Sequence, residues 1–131
     1  MSAKILLVDD DPDFVNSTRM LLEAHGYQVI AASDGAAGLA KAKSERPDLM
    51  VLDVMMATQN EGFEVARKIP EAEELRTMPV LLVTGIRSAL KLGFGLEPDA
   101  TWLPVGRVME KPIEPTRFLA AVKELLEKKT K

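Results

Sequence analysis

Ile5-Leu6-Leu7-Val8-Asp9-Asp10-Asp11-Pro12 joins an unbroken aliphatic run to three consecutive carboxylates and a proline. An aliphatic run without alternation marks a strand buried on both faces, because a half-exposed strand would show polar residues at every second position. Asp11-Pro12 reads as a helix N-cap followed by proline at the first helical position, where a missing N–H costs nothing. Phe14, Thr18, Leu21 and Leu22 then recur at i, i+4, i+7 and i+8, one buried face of a helix that Gly26 is placed to end. Buried strand, acidic turn and amphipathic helix together form the first half of a βαβ unit.

The alternation continues along the chain. Leu49-Met50-Val51-Leu52 and Val80-Leu81-Leu82-Val83 are further unbroken strands, residues 27–31 read as another, and 106–109 as a weaker one. Helical patterns cover Gly35–Glu45, residues 61–69 before Pro70 with a short extension over 71–76, and residues 87–92. Phe118, Leu119, Val122, Leu125 and Leu126 form the stripe of a last helix, whose end at Lys128-Lys129-Thr130-Lys131 reads as solvated. Five strands alternating with five helices predict an α/β fold: a five-stranded parallel sheet with helices on both faces, joined by right-handed crossovers. Such sheets carry their sites beyond the carboxyl ends of the strands.

Composition sets outer limits. A length of 131 residues fits one domain over 1–131, with no room for a separate output domain. The absence of cysteine excludes a disulfide framework, a thiolate nucleophile and cysteine-ligated metal. His25 alone cannot make a polyhistidine site; beside Gly26 it reads as a residue of a helix's last turn, where partial positive charge is favourable. A formal charge of −3 disfavours nonspecific binding to nucleic acid or to an anionic membrane. No apolar run approaches the ~20 residues that span a bilayer, and no targeting segment is evident, so the expected location is cytoplasmic.

Polar residues stand where the strands end. Asp9, Asp10 and Asp11 follow the first strand, Asp53 the third, Thr84 and Gly85 the fourth, and Lys111-Pro112 the fifth. Asp11 is accounted for as a cap, but capping cannot also explain Asp9 and Asp10. Asp53 closes an all-apolar run, where an unpaired carboxylate would be costly to bury. Carboxylates converging on one rim repel unless a cation neutralises them, and hard oxygen donors suit Mg²⁺.

The order of these residues resembles the receiver domains of two-component response regulators, the family with the chemotaxis-type, flavodoxin-like fold. The resemblance is carried by Leu7-Val8-Asp9-Asp10, Leu52-Asp53-Val54-Met55-Met56, Val83-Thr84-Gly85 and Glu110-Lys111-Pro112, and it extends over essentially the whole chain. It implies strand order 2-1-3-4-5 and a phosphoacceptor role for Asp53, charged by a sensor histidine kinase or phosphotransfer protein. Asp9, Asp10, Asp53 and the backbone carbonyl of Met55 would hold Mg²⁺, Asp9 directly or through water. Lys111 would pair with the phosphoryl oxygens and the Thr84 hydroxyl would bond to them after transfer. Switched contacts with a downstream protein target would follow, with a phosphorylation-dependent homodimer left open. The competing reading is a phosphorylation-independent interaction module of the same fold. A turnover phosphatase of the dehalogenase type is disfavoured, since Met55 stands where its acid/base aspartate would be.

Departures from the family pattern concentrate in three places. Ala57 replaces a common proline, and residues 57–62 run one residue long. Val108 stands where the family usually carries a tyrosine or phenylalanine, so an aromatic relay through that position is lost. Extra length falls at residues 96–104, around Trp102, which either plugs the loop onto the core or contacts a partner. Met55 and Ile86, two residues beyond Asp53 and Thr84, are apolar and poorly suited to orient an attacking water. Replacing Met55 with Asn should therefore speed dephosphorylation, measured as decay of the phosphorylated protein; an unchanged decay rate would contradict this account.

Overall fold

The computed structural model describes residues 3–53, 68–69, 73–75, 77–84, 107–110 and 113–129, with backbone alone at 74, 84, 107, 108, 110, 128 and 129. Strand β1 (Lys4–Val8) leads through helix α1 (Pro12–Ala24) to β2 (Gln28–Ala32), then α2 (Gly35–Glu45) and β3 (Leu49–Asp53). A 3-10 turn at Glu73–Leu75 precedes β4 (Val80–Thr84), and β5 (Arg107–Glu110) precedes the C-terminal helix (Pro115–Lys129). The five strands lie in the order β2-β1-β3-β4-β5, every neighbouring pair parallel. The helices expected at 61–69 and 87–92 fall, but for Lys68 and Ile69, outside the described residues, as does the loop at 96–104 with Trp102.

The unbroken aliphatic runs are buried on both sides, as parallel strands require. Because side chains alternate, Ile5, Leu7, Leu49, Val51, Leu81 and Val83 face a core with Leu22 of α1 and Phe118, Ala121, Val122 and Leu125 of the C-terminal helix. Leu6, Val8, Met50, Leu52, Val80 and Leu82 face the opposite core with Ala42 of α2, Leu75 and Met78. Burying Phe118 alone is worth roughly 3–5 kcal/mol by the usual cost of truncation to alanine. Strand β2 at the sheet edge runs one residue later than its pattern predicts, ending at Ala32, and β5 likewise spans 107–110. Among the described residues the methionines differ in burial. Met50 and Met78 fill the core, but Met20 projects from α1 with 71% of its surface exposed.

Helix ends follow local chemistry. Asp11 caps α1, its carboxylate accepting from the Asp13 N–H at 3.0 Å, with Pro12 at the first helical position. His25 closes the same helix, its Nδ1 lying 3.0 Å from the Leu21 carbonyl. Gly26 follows at φ 89°, a left-handed conformation that suits glycine. Asp34 caps α2 through the Ala37 N–H at 2.7 Å, a cap legible in retrospect from Ser33-Asp34 before a run of small residues. None of the described helices is long and apolar enough to cross a membrane.

Glu114 opens the C-terminal helix ahead of Pro115. Its carboxylate accepts the Arg117 N–H at 2.8 Å and the Thr116 N–H at 3.2 Å. These bonds, Arg117 first, hold its pKa below the ordinary value of 4.5. A carboxylate whose pKa is depressed by folding stabilises above its unfolded pKa and loses that contribution as pH falls through the folded value. Replacing Glu114 with Gln should thus lower the thermal midpoint at pH 7, with the deficit shrinking as pH falls below 4.5. A deficit independent of pH would contradict this role.

Candidate functional site at the carboxyl edge of the sheet

Strand β1 lies between β2 and β3, so the chain leaves it in one direction and returns on its other side. The crevice opened by that reversal lies beyond the C-terminal ends of β1 and β3. Asp9 extends the β1–β2 ladder by one bond, its N–H donating to the Ala32 carbonyl at 3.1 Å. Its Oδ1 accepts the Asp11 N–H at 2.9 Å, which folds the acidic turn back over the strand end. Asp11 itself is committed to capping α1, as its position before Pro12 predicts. Asp10, between them, is left exposed.

Asp53 is the last residue of β3, paired in register with Val83 of β4. It is 5% exposed and Asp9 is 3% exposed. Carboxylate oxygens of Asp9, Asp10 and Asp53 all lie within 4.8 Å of one another. Two unit charges at that separation repel by roughly 3 kcal/mol at an effective dielectric of about 20, less where solvent screens the exposed Asp10. A hard divalent cation relieves such repulsion and takes carboxylate oxygens as ligands.

The remaining predicted residues are placed by register. Thr84 ends β4, one residue beyond the partner of Asp53 and opposite Glu110 of β5. Lys111 follows Glu110 directly and, with Met55, lies outside the described residues. Two hollows flank the acidic turn. One, about 370 Å³, is lined by Asp9, Asp10, Asn16, Ala32 and Lys41 between α1 and α2. The other, about 680 Å³, is a more apolar groove beside α1, with Phe14, Leu21, Ile113 and Pro115 in its walls. Sequence patterning singles out neither Gly38 nor Lys41, which bring α2 against Val8 at the end of β1 and Ala31 near the end of β2; no local pattern reports such long-range contacts.

Comparison with known proteins agrees with this geometry. The family model of the response regulator receiver domain matches residues 5–123. The alkaline phosphatase synthesis transcriptional regulatory protein PhoP of Bacillus subtilis is 38% identical over 126 residues, 96% of this chain and 49% of PhoP. Protein PilH of Pseudomonas aeruginosa is 39% identical over 82 residues, 63% of this chain and 67% of PilH. The chain thus spans about half the length of PhoP. Among solved structures, a CheY-like receiver domain protein from Methanospirillum hungatei superposes with a TM-score of 0.78 at 29% identity, covering 99% of this chain and 98% of that one. The chemotaxis response regulator CheY4 of Vibrio cholerae gives a TM-score of 0.78 at 26% identity, over 95% and 99% of the two chains. Parallel sheet order, acidic cluster and sequence similarity converge: the chain belongs to the response regulator receiver domain family, the phosphoacceptor module of two-component signalling.

Proposed function

We propose that Asp53 accepts a phosphoryl group from the phosphohistidine of a sensor histidine kinase or phosphotransfer protein, or from a small acyl phosphate. The observation that carries this reading is a buried carboxylate at the end of a central strand, within 4.8 Å of two further carboxylates. An Asp53 oxygen attacks phosphorus, a P–O bond forms, and the P–N bond to the donor imidazole breaks with the electron pair leaving on nitrogen. Receiver domains bind Mg²⁺ at such an acidic cluster, and the donor set here fits that ion. Ligand oxygens on an octahedral Mg²⁺ stand about 2.9 Å apart when adjacent and about 4.1 Å when opposite, so small side-chain adjustments from the observed spacing suffice.

Asp9, Asp10 and Asp53 would hold the ion, with the Met55 carbonyl as a further ligand. Bound Mg²⁺ supplies neutralisation of the negative charge on the phosphoryl oxygens. Asp9 is held at the rim by the bond its Oδ1 accepts from the Asp11 N–H. Lys111, immediately after β5, pairs with the phosphoryl oxygens, and the Thr84 hydroxyl bonds to them once transfer is complete. Drawing Thr84 inward repositions the segment after β4, changing contacts with a downstream protein. With valine at 108, that change does not pass through an aromatic side chain in β5.

Incubation with Mg²⁺ and acetyl phosphate, followed by mass spectrometry of the intact protein, tests the assignment. The expected result is a gain of one phosphoryl group that disappears with EDTA and in Asp53→Asn. An adduct that persists in Asp53→Asn, or no adduct from either acetyl phosphate or a phosphohistidine donor, would overturn it.

A further inference from the structure

The acidic turn has an open space beneath it. Asp9 and Asp10 line the 370 Å³ hollow between α1 and α2, with Asp9 buried and Asp10 exposed. Besides the hydrogen bonds of Asp9 itself, two contacts made by α2 bear on their position. Gly38 lies so close to β1 that an added Cβ would stand 2.8 Å from Cγ2 and 2.9 Å from Cγ1 of Val8, the residue before Asp9. Val8 is 1% exposed and is hydrogen-bonded into the sheet between Ala32 and Leu52, so it has little room to give. Three residues on, the Lys41 ammonium donates to the carbonyl of Ala31 at the end of β2. The next carbonyl, of Ala32, is the one that accepts the Asp9 N–H. Helix α2 therefore presses on one flank of the acidic turn through Gly38 and anchors the strand behind it through Lys41.

We propose that Gly38 and Lys41 are positioning residues for the cation site, setting where Asp9 and Asp10 stand relative to Asp53. This rests on the reading of the acidic cluster as a Mg²⁺ site. Partners that orient metal ligands commonly affect affinity by 10–100-fold when removed, although they never touch the ion. A side chain at 38 forces α2 and the end of β1 apart. Removing the ammonium at 41 frees the Ala31 carbonyl, one peptide before the Ala32 carbonyl that accepts the Asp9 N–H.

Mg²⁺ binding measured by isothermal titration calorimetry on the full chain, alongside thermal unfolding to establish the folded fraction, tests the proposal. Gly38→Ala and Lys41→Met should each weaken Mg²⁺ binding by roughly tenfold per folded molecule. Lys41→Arg keeps a donor for Ala31 and should bind like the wild type, which a loss of stability alone would not explain. In the Gly38→Ala background, Val8→Ala removes the clashing methyl groups and should recover affinity. If Gly38→Ala does not fold, the Lys41 pair decides. Unchanged affinity in Lys41→Met, or equal losses in Lys41→Met and Lys41→Arg, would overturn the proposal. Failure of the wild type to bind Mg²⁺ would instead refute the reading of the cluster itself.

Discussion

Two carboxylates, Asp9 and Asp53, are buried side by side at the ends of adjacent central strands, with Asp10 exposed beside them. The rest of the structure accommodates that juxtaposition. It requires β1 and β3 to be neighbours, and hence a crossover that carries β2 to the far side of β1. It requires strands buried on both faces, which explains why β1, β3 and β4 are written in aliphatic residues without alternation. Repulsion between the carboxylates works against the fold, and the two aliphatic cores on either side of the sheet must outweigh it. On the proposed reading, a divalent cation held by the three carboxylates offsets that repulsion.

Much of this is legible in the sequence. The buried strands announced themselves as continuous aliphatic runs, and α1 as a heptad-like stripe between Asp11-Pro12 and Gly26. Helix α2 was bounded at Gly35–Glu45 from its pattern, and those bounds hold. The acidic trio could be inferred because Asp9, Asp10 and Asp53 each follow a strand end, and parallel strands deliver their C-terminal ends to one rim. The edge strands lie one residue later than their patterns predict, since β2 is only partly buried and the burial signal fades there.

What the sequence concealed was of a different kind. Gly38 looks like one small residue among several in α2, and nothing local says that Val8, thirty residues earlier, lies against it. Lys41 sits where a solvated lysine would be expected; its bond to the Ala31 carbonyl depends on how α2 packs along β2. Glu114 capping two N–H groups two and three residues ahead could have been suspected from Glu-Pro before a helical stripe, yet its depressed pKa comes from hydrogen-bond geometry. Met20 is an exception to the rule that methionine fills cores: it projects into solvent, because the period of α1 turns it away from the sheet.

The central claim, that the acidic rim opposes folding by itself and favours it with a divalent cation, is tested most directly by thermal unfolding against Mg²⁺ concentration. Among the described residues the Asp10 side chain makes no hydrogen bond, so Asp10→Asn removes a charge and little else. The account predicts that, in EDTA, Asp10→Asn unfolds at a higher temperature than the wild type. It also predicts that Mg²⁺ raises the wild-type midpoint continuously by mass action, by about 2.7 kcal/mol of stability at a hundredfold excess over its dissociation constant, and raises that of the variant much less. A wild-type midpoint indifferent to Mg²⁺, or an Asp10→Asn variant less stable than the wild type in EDTA, would contradict it.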